Sequence, residues 1–588
     1  MRKYKMPSVR KSQCLFGMLF LIVAISYTPY IVNGGFGSGD DLGYVSQTMG
    51  GFDVKEFLSV QITSSQSSRP LAILALATAL FFYGGVPAYY LLTQLSIWAG
   101  TTWALAVSMR DMFGKWEAWI FALLMFFPFF CSGSLLSSVC GLSGYGLSIF
   151  FWSLSVLFLT KNAITGRDGY RLWAYAALLL GILSLELILP LLIFTALLPA
   201  AFRLSRSRLA DTRELAGLHL KSILPVLCIA VLFLFFKLYV TKLYQTTYDA
   251  VYGLAPLSLK SFAQAAYFFI ALAGEVPIML LEAFPHLFRI QPLCVAAGIC
   301  AFVLVLKTNG DAEAAGREPA MPQVFVRLIL ASLAACSSSF FLSAYPAVTY
   351  GFYNRLMLPS FVLVCMLVSI FVAKAMRRGR VVPVILFASV WAASMLAQLS
   401  GNIESWRLRN EVLSDCVARL KEGGVGPGSV LVANVPYFVE DNYNNVEVFY
   451  LSWAIEAGLK VFGFDKKIRA IPVCWRSVVD SDFNSAHNIN TIYKTIGDDS
   501  VLYYYEFDHK TRKSTLEKLA QKRDLLDKLA RIKEEKINYY PPILREKMRN
   551  KFRSILVGTP IPQLTQGPIA ELPPSRIRVW PFGQSRWF

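Results

Sequence analysis

Apolar runs recur along the chain up to residue 399, at 14–30, 71–82, 91–107, 119–130, 147–159, 172–202, 223–239, 262–281, 295–306, 328–342, 356–372 and 381–399. A helix needs about 20 apolar residues to cross a bilayer, and hydrocarbon admits only structures that satisfy their own backbone polar groups. A soluble chain of this length would be more polar; here 55% of 588 residues are hydrophobic and 16% charged. The pattern predicts an α-helical polytopic membrane protein with about 11–13 helices of roughly 20 residues.

The formal net charge is +19. No nucleic-acid motif accompanies it, and in a membrane protein Lys and Arg gather in cytoplasmic loops and at anionic lipid. Lys161, Arg167 and Arg171 mark one inner loop. Arg203, Arg206, Arg208 and Arg213 mark another, and Lys374, Arg377, Arg378 and Arg380 the clearest. Arg2, Lys3, Lys5, Arg10 and Lys11 precede the first run with no small-residue cleavage pattern after it, which predicts an uncleaved span with its N-terminus inside. Run 381–399 then leads outward, so everything after 400 is predicted to be extracytoplasmic, and 343–355 faces the same side. Run 172–202 contains Glu186 and Pro190 and is too long for one straight span. It predicts two shorter helices with Glu186 near the outer tip, the alternative being one kinked, buried helix. Run 262–281, interrupted by Gly274, Glu275 and Pro277, reads as lying along the outer surface. Two full crossings in 71–107 would put Arg110 and Lys115 outside, against Lys161 inside, unless some segment is re-entrant.

The organisation follows. Residues 1–400 form a membrane module with an outer loop at 31–69, 401–506 a small α/β domain, and 507–588 a basic helical and Pro-rich tail. Helices are expected at 411–421, 446–459 and 515–536, and strands at 429–435, 467–473 and 500–505. The ten cysteines show no zinc spacing. Cys131 with Cys140, or Cys416 with Cys474, could pair outside the cytoplasm.

Asp40 and Asp41 stand side by side in the outer loop. Ionisable groups at a membrane are costly and usually functional. One carboxylate could act as general base, taking the proton of an acceptor hydroxyl as it attacks a sugar anomeric carbon. The other could orient it, bind acceptor hydroxyls or ligate a divalent cation. The plainer alternative is a helix N-cap ahead of Leu42, Val45 and Met49. Arg69, before Pro70, could pair with either Asp or with a phosphate, or snorkel to the interface. Arg355 breaks the positive-inside trend, and with Tyr350 and Tyr353 it suits a lipid-linked phosphate, the leaving group of such a transfer; the alternative is a headgroup anchor. Glu186 is a weaker member of this donor-phosphate group. Glu275, Glu282, His286 and Arg289 are weaker candidates still.

One span, an outer loop with Asp40-Asp41, then Arg69-Pro70, many spans, the late outer Arg355 and an extracytoplasmic C-terminal domain together resemble the membrane glycosyltransferases of the C superfamily. The resemblance covers the architecture of residues 1–400. It implies a polyprenyl-phosphate sugar donor, an outer-loop carboxylate as base, a lipid or glycan acceptor and a bacterial inner (plasma) membrane location. A second acidic site of parts of the superfamily has no match here: Asp111 reads as inside, and no acid follows 119–130. No cofactor is therefore expected, and a divalent metal lacks support. Membrane lipids are the other expected partners, and nucleic acid is not. The rival readings are a transporter or flippase, an O-antigen polymerase or ligase, and a non-catalytic membrane scaffold.

Overall fold

The computed structural model describes residues 39–63, 69–126, 141–189, 191–206, 212–244, 358–378, 381–435, 452–473, 493–508 and 511–537, with isolated positions from 17 to 36 and Val139. In chain order the helices are α1 (Gly39–Ser46), α2 (Val54–Ile62), α3 (Pro70–Tyr83), α4 (Pro87–Met112) and α5 (Lys115–Phe126). A π-helical turn (Gly141–Tyr145) leads into α6 (Gly146–Thr165) and α7 (Asp168–Ser184). A 3-10 turn (Glu186–Ile188) precedes α8 (Leu191–Arg206), α9 (Thr212–Tyr244), α10 (Leu358–Arg377) and α11 (Val381–Glu422). After these come β1 (Val430–Asn434), α12 (Ser452–Val461), β2 (Arg469–Val473), β3 (Leu502–Asp508), β4 (Lys513–Leu519) and α13 (Lys522–Ile537). The chain divides into two compact units, one of Met1–Val32, Val54–Ala79 and Ala88–Ser400, the other of Asn33–Asp53, Leu80–Pro87 and Gly401–Phe588.

The first unit is helical. Several of its Ser and Thr hydroxyls donate to carbonyls one turn back, and large aromatics pin helix to helix. Trp98 Nε1 donates to the Met125 carbonyl at 2.7 Å, and the Trp98 ring stacks on Phe361. The fully buried Trp152 donates to Thr195 Oγ1 at 3.0 Å, so α6 and α8 pack around a satisfied indole. Outward-facing positions are apolar as well, among them Leu172, Trp173, Ile193, Leu232, Phe235 and Leu238. Helices apolar on both faces suit hydrocarbon, because in water the outer face would be polar. Among the described residues, Gly146–Thr165 and Ile223–Val240 are long and apolar enough to cross a membrane.

Ion pairs bring the ends of several helices together. Lys161 Nζ donates to Asp111 at 2.8 Å, and Glu117 pairs with Arg377. The ends of α4, α6 and α10 and the start of α5 therefore lie at one end of this unit. Helix α3, with 14 residues, is about 21 Å long, short of the roughly 30 Å of hydrocarbon. Arg110 contacts Asp111 as well, so Arg110 and Lys115 share the end of Lys161. Run 172–202 is broken as expected, and α7 and α8 both pack on α6.

The second unit is a four-stranded sheet in the order β2-β1-β3-β4, with β1 parallel to β2 and β3, and β4 antiparallel to β3. Central β1 is buried along its whole length, as a strand covered on both faces must be. One face packs Val430, Val432, Tyr504 and Ile471 against Leu525, Leu529 and Ile532 of α13. Behind the sheet, Tyr505 donates to Asp415 of α11 at 2.8 Å. Burial and the Asp415 carboxylate push that phenol well above its usual range. The helix expected at 515–536 is instead a strand, a turn and a helix. Lys513–Leu519 pairs with β3, and the 3.6-residue period starts only at α13. Likewise 381–399 and 411–421 are parts of one 42-residue helix, α11. Cys416 is a buried free thiol, and Cys474, Cys131 and Cys140 lie outside the described residues. The runs at 262–281, 295–306 and 328–342, and the tail from 538, lie outside the described residues.

Leu529 is fully buried and Leu172 is 72% exposed. Leu529→Ala is expected to cost about 2–5 kcal/mol and Leu172→Ala to stay within about 0.5 kcal/mol. Thermal unfolding of the two variants in detergent checks the difference.

Candidate functional site

Three charged side chains converge where α7 stops. Leu185 adopts extended backbone (φ −164, ψ 135), which ends the helix and turns Glu186 out of line. The Glu186 carboxylate accepts from Arg69 Nε at 3.1 Å and Nη2 at 2.9 Å, a bidentate fork, and from Lys237 Nζ at 3.2 Å. Arg69 immediately precedes α3, where Pro70 opens the helix and the Arg69 carbonyl accepts from the Ile73 N–H. Lys237 lies near the end of the apolar span Ile223–Val240. The three side chains are only 13%, 15% and 21% exposed for Arg69, Glu186 and Lys237. Two cations and one carboxylate leave the cluster with one net positive charge.

Helix α7, with 17 residues, separates this cluster from the Asp111–Lys161 end by about 25 Å. The first unit thus carries charge at two levels about a hydrocarbon thickness apart.

The π-helical turn packs directly behind the cluster. Gly144 has φ +121, and a Cβ there would sit 2.6 Å from the Ser184 carbonyl oxygen and 3.1 Å from Ala72 Cβ. Only glycine lets this turn wedge between the first turn of α3 and the broken end of α7. Two residues on, a Cβ at Gly146 would lie 2.8 Å from Gln94 Nε2. Gln94 is 2% exposed, and among the described residues neither of its amide atoms has a hydrogen-bond partner. A buried amide in that state costs stability, and π-turns recur at functional sites.

Of the residues predicted from sequence, Arg69 and Glu186 are brought together. Arg69 forks onto Glu186. Lys237 was missed, although a Lys inside an apolar run is the signal that could have found it. Gln94 was missed too, and nothing in its sequence context sets it apart. Asp40 and Asp41 lie in the second unit, in the first turn of α1, one step inside the helix from the N-cap considered above. Acidic residues there complement the helix dipole. Asp41 is fully buried with Leu42 and Val45, and α1 packs against α12. Upstream, Arg409 Nη1 donates to the Phe36 carbonyl at 3.0 Å. Tyr350, Tyr353 and Arg355 lie outside the described residues, as do Glu275, Glu282, His286 and Arg289. Among the described residues no group of three or more His, Cys, Asp or Glu is placed to hold a metal ion.

No protein-family model matches this chain, and no curated protein sequence does. Among solved structures it is similar to the apo crystal structure of ArnT from Cupriavidus metallidurans, with 13% identity and a TM-score of 0.32, covering 84% of this chain and 93% of that one. A superposition at that score does not establish a common fold.

Gly144→Ala combines a strained φ with a backbone clash at Ser184. It is expected to destabilise the protein by about 1–3 kcal/mol. The thermal unfolding temperature in detergent should fall, and an unchanged value would show that the turn has room to spare.

Proposed function

We propose that the chain is an integral-membrane glycosyltransferase that moves a sugar from a polyprenyl-phosphate donor to an extracytoplasmic lipid or glycan acceptor. The observation that carries the reading is the Arg69–Glu186–Lys237 cluster, shielded, net cationic, and set at the end of an apolar bundle opposite its basic end. An amphiphile with an anionic head and a long apolar tail is the ligand such a place suits. The basic end is cytoplasmic by the positive-inside trend, which puts the cluster near the outer leaflet and the C-terminal unit outside. In this reading the protein is multi-pass in a bacterial inner membrane with its N-terminus in the cytoplasm.

The chemistry is a displacement at the anomeric carbon. The acceptor oxygen attacks, its proton passes to the carboxylate of Asp40 or Asp41, and the bond to the phosphate oxygen breaks. The polyprenyl phosphate leaves with one more negative charge than it carried in the donor. Arg69 stabilises that charge as it develops, and Arg355, with Tyr350 and Tyr353, is assigned to the same phosphate. Asp41 is buried, so in this role it meets its acceptor only when α1 or its cover moves.

The second reading is a transporter of lipid-linked glycans, which Lys237 and Glu186 at membrane depth also suit. Asp40→Asn and Asp41→Asn separate the two. Loss of general base catalysis typically costs about 10²–10⁴-fold in rate. One variant is expected to lose sugar transfer to that extent while its unfolding temperature stays near that of the parent. Transfer retained by both would remove the acidic pair from catalysis.

A further inference from the structure

We infer that Lys237 is a donor-phosphate ligand alongside Arg69, and that Glu186 is an internal anion which occupies both cations until the lipid phosphate displaces it. The inference rests on reading the chain as a user of polyprenyl-phosphate donors, and it assigns residues that this reading leaves open.

Geometry supplies the first argument. The Arg69 fork meets Glu186 through Nε and Nη2, at 3.1 and 2.9 Å. Two parallel donors of this kind accept a carboxylate or the two non-bridging oxygens of a phosphate with the same spacing. Lys237 Nζ reaches the same Glu186 Oε1 that Arg69 Nη2 holds. One anionic oxygen is thus gripped by both cations, as one phosphate oxygen would be.

Charge supplies the second argument. A phosphodiester donor carries one negative charge, and among the described residues the cluster carries two cations and one carboxylate, one net positive charge. Binding the donor neutralises it. Were the structural task only to bury Arg69, a single carboxylate would do it, and Lys237 would add an uncompensated cation at the edge of an apolar span. Burying an extra charge in hydrocarbon is costly. A resident lysine there makes physical sense when an anion arrives to meet it.

Position supplies the third. Lys237 lies within Ile223–Val240, whose residues are mostly outward-facing, so the cluster sits beside a helix that borders lipid. A polyprenyl tail can stay in the bilayer while its phosphate enters.

The test uses the full-length protein in phosphatidylcholine nanodiscs, titrated with polyprenyl phosphate and followed by intrinsic tryptophan fluorescence. Lys237→Met leaves the Arg69–Glu186 pair intact, and its unfolding temperature is recorded beside the parent. Losing one charged hydrogen bond to phosphate should weaken binding about tenfold or more. Lys237→Arg should restore binding to near the parent value. Glu186→Gln removes the competing anion and should tighten binding, while a merely structural Glu186 would leave it unchanged or weaker. Equal binding by the parent and Lys237→Met, or binding by Glu186→Gln no tighter than that of the parent, overturns the inference even if sugar transfer is confirmed. No binding by the parent overturns the donor reading as well. A second set of nanodiscs contains phosphatidylglycerol, and inorganic phosphate is added in a third arm. If either competes as well as polyprenyl phosphate, the cations serve a headgroup or a free anion and the inference falls.

Discussion

Hydrocarbon solvates charge so poorly that every charged group in the first unit must be paired or sent to an end, and this rule organises the helices. Asp111 takes Lys161, Glu117 takes Arg377, and Glu186 takes Arg69 and Lys237. Each pair joins elements far apart in sequence, so each also fixes the level of one helix against another. The packing between the levels is apolar and could slide. The ion pairs cannot slide without exposing a charge to lipid, at a cost of several kcal/mol. The charges therefore set register, which the aromatic contacts of Trp98 and Trp152 then fill in.

Much of the helical fold was legible because helix length and apolar length coincide. The runs at 71–82, 91–107, 147–159, 223–239 and 356–372 all became helices. The break in 172–202 was legible through Glu186 and Pro190, which a continuous buried helix has little reason to carry. Which helix ends meet was not legible: Asp111 pairs with Lys161, and a pair 50 residues apart leaves no local trace. In the second unit, 513–519 was misread because Leu516 and Leu519 fit a helical face as well as a strand edge. Only pairing with β3 decides between them, and that is a tertiary fact.

The site was legible in its parts and not in its assembly. Arg69 and Glu186 each stand out in the sequence as charges beside apolar runs, but Arg69 reads as a partner of Asp40, Asp41 or a phosphate and Glu186 as a lesser member of the donor-phosphate group, never as each other's partner. Sequence shows which charges need partners and not which partners they find. The burial of Asp41 was equally hidden. Two adjacent acids in a polar loop suggest exposure, yet α1 turns Asp41 to the same face as Leu42 and Val45, and α12 covers that face.

What joins the charged cluster to the rest of the first unit is a set of local compromises at one place. Leu185 interrupts a helix, Gly144 adopts a left-handed φ inside a π-turn, and Gln94 is buried with its amide unmatched among the described residues. Each costs stability, and none is needed to pack an apolar bundle, since an unbroken α7 and a leucine at 94 would pack more simply. The Gly144 wedge touches both Ala72, one turn from Arg69, and Ser184, two residues before Glu186. It therefore brings the two partners of the fork together from separate helices. Costs that coincide in space with a shielded contact of three charges are the expected mark of a site kept for what it binds rather than for what it stabilises.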